Sequence, residues 1–432
     1  MSFFKTSIWM GISTAIKALL SYLLWKIIAV STGPSGVAIL EQFQNFIQIS
    51  RVSVPAGINE GIIKYGSEFK DNDALKSSIL SNAMYLNSFI FIIAFTTLLL
   101  FSHGISYLVF QSYDYQNMII LVGACIALFI LNNFGLSMLN AEMETNKYII
   151  STISGSLFNF ILTAVLVKHY GLFGGLVGLA LNQTVICILT IYLIFKAKWF
   201  NINLFLSKIN MACMNKLILY SFIPLSAALI GPIASIMLTK YIINTLSWTD
   251  AGYWQAINRL SQAYLILIAM VFSFYFIPKF SSLKTKGALR AEIIKSHYYL
   301  VPLISLGILV VFVFKNQIIK IMYSTEFLSV VPLFKYQLLG DFSRLCTWIL
   351  KNILVAKAMI KETIAFELFF TASHILLTLL FVHYDGLIGC AIAYAVNYFL
   401  FWIAMIIFTV NYLNKNENSY VATMDLEQIP AQ

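Results

Sequence analysis

Apolar stretches of about 20 residues recur along the whole chain, and each is long enough to cross about 30 Å of hydrocarbon as a helix. Inside a bilayer the backbone has to satisfy its own N–H and C=O groups, so successive stretches of this kind dictate a helical bundle. They fall near residues 6–31, 37–63, 78–101, 116–138, 148–168 and 172–195. A second set follows near 216–240, 251–277, 297–314, 329–352, 361–382 and 387–411. The expected fold is therefore an all-α membrane protein of twelve transmembrane helices. Composition agrees, with 60% hydrophobic and 11% charged residues, against roughly 45–50% and 25% in a soluble domain. The first stretch is longer than a signal-peptide core and is not followed by a small-residue cleavage site, so it reads as a retained helix.

Basic residues set the expected orientation. Connections near 64–76, 196–216 and 279–295 alone hold twelve of them, whereas the opposite side has only Lys168, Lys240, Lys315 and Lys320. The richer side should be cytoplasmic, which places both termini inside. The net charge of +10 is spread over short loops and forms no basic domain or helix. That pattern sets topology and points away from nucleic acid. The cysteines and histidines show no ligand spacing, so neither a metal nor a cofactor is expected.

The two halves resemble each other at an offset of 214 to 216 residues. "KHYGLFGGLVGLALNQ" (168–183) matches "VHYDGLIGCAIAYAVNY" (382–398), which places His169 on His383, Gly174 on Gly389 and Asn182 on Asn397. "GPSGVAILEQF" (33–43) falls on "TDAGYWQAINR" (249–259). This duplication predicts two six-helix lobes, 1–200 and 201–412, followed by a polar cytoplasmic tail, 413–432. Each lobe has an even number of spans, so both have the same polarity and suit alternating access. Pro55, Gly57, Gly61, Pro224 and Gly231-Pro232 weaken helices where hinges would help.

Ionisable side chains at mid-membrane cost roughly 2.5–3.5 kcal/mol each and usually face a cavity or a partner. Gln44, Gln48 and Arg51 are spaced to share one helix face. Gln255, Arg259 and Gln262 repeat the arrangement, as do Gln337, Asp341 and Arg344, and Lys17 adds a base in the first span. Asp341 and Arg344 can pair at i, i+3. The bases Lys17, Arg51, Arg259 and Arg344 nevertheless outnumber that one mid-span acid. The expectation is a cationic cavity lined by the five glutamines, with the four bases as anion contacts. Lys26 and Lys351 sit near span ends, where they can snorkel. Glu60 and Glu142 lie near cytoplasmic ends, where water can solvate them, and His374 reads as a structural histidine.

Four segments, "GPSGVAILEQFQ" (33–44), "SWTDAGYWQAINRLSQAYL" (247–265), "LFKYQLLGDFSR" (333–344) and "LVAKAMIKETIAFE" (354–367), resemble the Wzx-type flippases of lipid-linked oligosaccharides, above all those serving enterobacterial common antigen. "STAIKALLSYLLWKIIAVSTGPSG" (13–36) is similar to that family's first span, with Lys17 and Lys26 where the family carries lysines. The resemblance covers nearly the whole chain. It implies the polysaccharide transporter branch of the multidrug/oligosaccharidyl-lipid/polysaccharide exporter superfamily, with two six-helix lobes around a central cavity. The implied substrate is an undecaprenyl-pyrophosphate-linked oligosaccharide, either an O-antigen unit or the common-antigen lipid III, moved from the cytoplasmic to the periplasmic leaflet. A directed cycle would need an ion, with H⁺, Na⁺ or none left open by the sequence, and polymerase and chain-length proteins of the glycan pathway are the expected partners. Asp341 matches the acid of the family's Q-L-x-G-D stretch and is the candidate ion-coupling switch. After "GPSG" this chain has Gln44-Asn45 where relatives carry an arginine, so Arg51 is assigned from its own position.

Two other classes fit less well. A membrane glycosyltransferase or polymerase acting on the same lipid needs a sizeable outer loop with catalytic carboxylates, and the connections at 102–115 and 315–328 are short. A multidrug cation antiporter of the same superfamily needs an acidic cavity. The chain is therefore expected not to be an enzyme.

Overall fold

The computed structural model describes residues 3–53, 58–69, 72–182, 184–197, 199–205 and 207–414, and every regular element among them is helical. In chain order these are α1 (Phe3–Ser53), α2 (Ile58–Glu68), α3 (Asp73–Leu100), α4 (Ser102–Phe110), α5 (Gln116–Ala141), α6 (Thr145–Leu181) and α7 (Thr184–Phe195). A 3₁₀ turn at Ile202–Phe205 leads to α8 (Met211–Thr245), α9 (Trp248–Ser282), α10 (Lys286–Val313) and α11 (Lys315–Met322). A second 3₁₀ stretch, Thr325–Leu333, precedes α12 (Phe334–Ala356) and α13 (Ile360–Asn414).

Seven helical stretches among the described residues are long and apolar enough to cross a membrane, so this is a multi-pass membrane protein. Three of them run to 41, 51 and 55 residues, about twice one crossing. Each of the three contains a glycine with non-helical angles: Gly33, Gly171 or Gly386. α8 and α12 fall outside the seven; α12 carries Lys335, Asp341, Arg344 and Lys351 within 23 residues. The twelve expected crossings are compatible with these elements.

The duplication extends to backbone detail. Asn72 caps α3 by accepting from the Leu75 N–H, and Thr285 caps α10 by accepting from Ala288, 213 residues on. Phe101 and Phe314 close those two helices with nearly the same angles. Met143 and Ala358, 215 residues apart, both take positive φ between the helices that follow. Gly171 (φ 55°) and Gly386 (φ 57°) make the repeated kink in a region that residues with a Cβ avoid. Three residues later, a Cβ on Gly174 would strike the Leu166 carbonyl, and one on Gly389 would strike that of Phe381. The offset is thus 215 on both sides of this kink, so the expected pairing of His169 with His383 is displaced by one residue. Identical letters drew the sequence alignment off register, whereas backbone contacts fix it.

Contacts group the chain into two compact units, Met1–Ala256 with Ile319–Ser329, and Ile257–Ile318 with Val330–Gln432. In the first unit α1 packs along α6 and α8, and α5 along α7. A buried cluster of Ile58, Ile62, Leu80, Phe134, Met138 and Leu217 ties α2, α3, α5 and α8 together. Gly61 belongs to this packing, because a Cβ there would meet Leu217. In the second unit α12 packs along α13. Of the other hinge candidates, Pro55, Gly57 and the Pro224 side chain lie outside the described residues, as does the tail from 415 onward.

Two end-of-span expectations change. Glu142 is buried against Lys76 instead of being solvated, with the Lys76 ammonium also over the Trp199 ring. Lys351 forms an ion pair with Glu367. In both cases a carboxylate from another helix lies close enough to satisfy the charge locally.

Candidate functional site

The first unit holds a cavity of about 590 Å³. Its lining includes Lys17, Gln44, Gln48 and Arg51 from α1, Asn132 and Asn133 from α5, Thr152, Ser156 and Asn159 from α6, and Asn182 just past the end of α6. The kinks explain this convergence. Lys17 lies 16 residues before Gly33 and Gln48 lies 15 after it, which is ~24 Å and ~22 Å of helix. If the chain doubles back at the glycine, these two side chains sit at similar depth. Asn159 and Asn182 flank Gly171 by 12 and 11 residues, or ~18 Å and ~16 Å. Each hairpin therefore offers polar groups from both of its arms at one level.

Charge and amide chemistry dominate this cavity. No carboxylate is among its lining residues. The Arg51 guanidinium stands 5.5 Å from the centre of the Phe129 ring, a cation–π contact. Asn132 is held by its oxygen, which accepts from Thr190 Oγ1 at 2.8 Å, and Thr190 is 2.6 Å from Ser151. Asn159 Oδ1 accepts from Thr163 at 3.2 Å. The lining residues thus include two bases, Lys17 and Arg51, and no acid.

The second unit holds a different polar group, which is closed. Asp341 is fully buried on α12. One oxygen of its carboxylate accepts from Ser261 at 2.6 Å and from the Tyr264 hydroxyl, and the other accepts from Tyr394 at 2.8 Å. Gln337 donates to Ser261 at 3.0 Å. Arg344 does not meet Asp341 directly. Its Nη1 donates to the Tyr394 hydroxyl at 3.1 Å, and its guanidinium lies over the rings of Trp348 (4.9 Å) and Tyr398 (5.1 Å). Tyr394 thus relays between base and acid. Its approach depends on Gly340, where a Cβ would run into the Tyr394 ring.

The ten sequence-predicted residues therefore separate. Lys17, Gln44, Gln48 and Arg51 share the first-unit cavity. Gln337, Asp341 and Arg344 are drawn together in the interior of the second unit, so Gln337 is part of a buried network rather than of an open wall. Gln255 donates to Thr239 at 2.8 Å, Arg259 is half-buried and Gln262 is exposed. His374 is half-buried, and its Nε2 is buried and unpaired in the structure. Sequence reasoning missed the cavity asparagines and the tyrosine hydroxyls. A polar amide inside an apolar span is a usable signal for the first. Tyrosine counts as apolar in a hydrophobic tally, which hides the second.

Comparison with known proteins places this architecture. The profile of the polysaccharide biosynthesis protein family matches residues 3–284. The lipid III flippase of Escherichia coli (strain K12) is 26% identical over 411 residues, covering 93% of this chain and 97% of that protein. An inward-facing multidrug resistance MATE family transporter of the MOP superfamily shares the fold, with a TM-score of 0.78 at 14% identity over 93% of this chain and 96% of its own. The lipid II flippase MurJ in an inward closed conformation has a TM-score of 0.67 at 15% identity, with 98% and 94% covered. The family profile spans well over half of the chain, and on that ground this multi-pass, all-helical protein belongs to the polysaccharide biosynthesis protein family.

Proposed function

We propose that this protein is a flippase that carries an undecaprenyl-pyrophosphate-linked oligosaccharide from the cytoplasmic to the periplasmic leaflet of a bacterial inner membrane. The observation that carries the reading is the first-unit cavity, whose lining residues include Lys17 and Arg51 and no carboxylate. A diphosphate ester brings about two negative charges, and each contact at 4 Å is worth about 4 kcal/mol at the effective dielectric of a protein–water boundary. A glycan head group needs the wet, amide-rich surface that Gln44, Gln48 and the asparagines provide, while a polyprenyl tail is at home in lipid. The alignment with the lipid III flippase over 93% of this chain supports the same substrate class.

In this reading Lys17 and Arg51 bind the diphosphate and Gln44 and Gln48 line its path. The cavity opens alternately to the two sides of the membrane, with both termini cytoplasmic and the two duplicated halves as the working lobes. Arg259 is a further anion contact during passage. Asp341 is the H⁺- or Na⁺-responsive switch, and it acts on Arg344 through Tyr394. The test is complementation of bacterial strains lacking their own O-antigen or lipid III flippase, scored by surface glycan. Restored glycan display in either strain is the expected result. Absence of rescue in both, with the protein shown to be in the membrane, overturns the proposal.

A further inference from the structure

Three asparagines in the first-unit cavity have no role in anion binding. Asn133 and Asn182 have no hydrogen-bond partner among the described residues, and Asn159 uses only its oxygen, toward Thr163. Three carboxamides with open donors and acceptors are a costly feature in a membrane span unless something meets them. The second half shows what the shared scaffold itself requires. Asn397, 215 residues after Asn182, commits both ends of its amide: Nδ2 donates to the Phe370 carbonyl at 3.2 Å, and Oδ1 accepts from Ser373 at 2.6 Å. The positions equivalent to Asn133 and Asn159 are Trp348 and His374. The open amides are therefore particular to the first half.

We propose that Asn133, Asn159 and Asn182 form a sugar subsite that recognises the neutral residue next to the diphosphate. The proposal rests on the flippase reading, because it is the cavity's occupancy by a lipid-linked sugar that brings this residue to the amides. A carboxamide presents a donor and an acceptor in one plane, which matches a hydroxyl or acetamido group and offers nothing specific to a carboxylate. Phe160 and Ile186 in the same wall give the apolar faces of a sugar ring or an acetamido methyl a surface to pack on. Lys17 and Arg51 supply attraction to any anion, so without the amides the cavity would prefer acidic sugars. The asparagines are thus specificity-determining, and the cations supply affinity.

The experiment uses the full chain in proteoliposomes. Four lipids are compared: undecaprenyl diphosphate alone, and the same lipid bearing an acetamido hexose, a plain hexose or a uronic acid. Binding and flipping are measured for wild type, Asn133→Ala/Asn182→Ala and Lys17→Ala. The double asparagine variant should flip both neutral-sugar lipids at least tenfold more slowly. It should bind undecaprenyl diphosphate like wild type, which also shows that it is folded, and lose its discrimination against the uronic acid. Lys17→Ala should weaken binding of all four lipids. A loss confined to the acetamido lipid, or to the plain hexose, supports the subsite and names the group it reads. The subsite alone is overturned if the asparagine variant keeps the wild-type order of preference. If wild type binds none of the four lipids, the flippase reading falls and the subsite falls with it.

Discussion

The same repeated helical scaffold is used in opposite ways by the two halves of the chain. In the first unit, polar side chains from α1, α5 and α6 face a cavity of about 590 Å³, and Asn133 there has no hydrogen-bond partner among the described residues. In the second, Asp341 has three hydroxyl donors and Arg344 has a hydroxyl and two aromatic rings. Duplication supplied the hairpins, caps and kinks, and the side chains on them diverged. Where Arg344 stands in the second half, the first half has Phe129, and it is against Phe129 that Arg51 of α1 lies. A guanidinium beside aromatic rings thus occurs in both units, by residues from different helices. In the proposed function this difference is a division of labour, with contact to substrate in the open group and response to an ion in the closed one.

The largest effect expected from breaking this contrast is in the open group. Charge-assisted hydrogen bonds contribute about 1.5–3 kcal/mol each, so Lys17→Ala/Arg51→Ala should reduce flipping of a diphosphate lipid by about 100-fold or more. Thermal unfolding should change less than flipping, because both side chains line a cavity instead of filling the packed core. A double variant that flips lipid at the wild-type rate would remove these two residues from the anion site.

Asp341→Asn addresses the closed group. It keeps the shape but removes the charge and turns one of the two oxygens that accept from Ser261, Tyr264 and Tyr394 into an amide donor. The expected outcome is a loss of about 3 kcal/mol in stability, since it leaves buried donors and a buried guanidinium without an acid. Flipping should fall about tenfold and lose its dependence on a pH or Na⁺ gradient, with binding of undecaprenyl diphosphate retained. Full glycan display by Asp341→Asn in a strain lacking its own flippase would eliminate the switch.

How much of this was legible beforehand follows from the physics of each feature. Helical spans and the first-unit stripe of Gln44, Gln48 and Arg51 were visible because hydropathy and the 3.6-residue period are local properties. The Gly33 kink that brings Lys17 to the same cavity lies in "GPSG", between the first two expected spans. What could not be read was which polar stripe would stay open. Gln337, Asp341 and Arg344 have the same spacing as the first stripe, yet their environment depends on Tyr264 and Tyr394, which lie 77 and 53 residues from Asp341. Local pattern gives the face that a residue occupies; its partner is a tertiary matter. The Lys76–Glu142 and Lys351–Glu367 pairs were missed for the same reason.

Gly340→Ala tests whether Tyr394 is held in place by shape. The added methyl would meet the Tyr394 ring, and overpacking of this kind costs about 1–3 kcal/mol. Asp341 would keep Ser261 and Tyr264 but lose the link to Arg344. The variant should therefore reproduce the coupling defect of Asp341→Asn at a smaller stability cost, measured by unfolding in detergent together with gradient-dependent flipping. Normal coupling in a variant with that stability loss would show that the relay is not needed.

The smallest effect sharpens the comparison most directly, because it uses equivalent asparagines. Asn397→Ala removes an amide whose two ends are occupied inside α13. Ser373 retains an alternative partner, since its hydroxyl also lies 3.0 Å from the Phe370 carbonyl. The penalty should thus sit at the low end for a buried hydrogen bond, about 1 kcal/mol. Sugar preference should be unchanged. Asn182→Ala, its first-half counterpart, should do the reverse, leaving stability near wild type and altering which sugar lipid is flipped fastest. If both substitutions cost stability and neither changes preference, the two asparagines are packing residues in both halves. An amide that is open because a ligand meets it has to be read by its effect on ligand, and this pair of substitutions separates that role from packing.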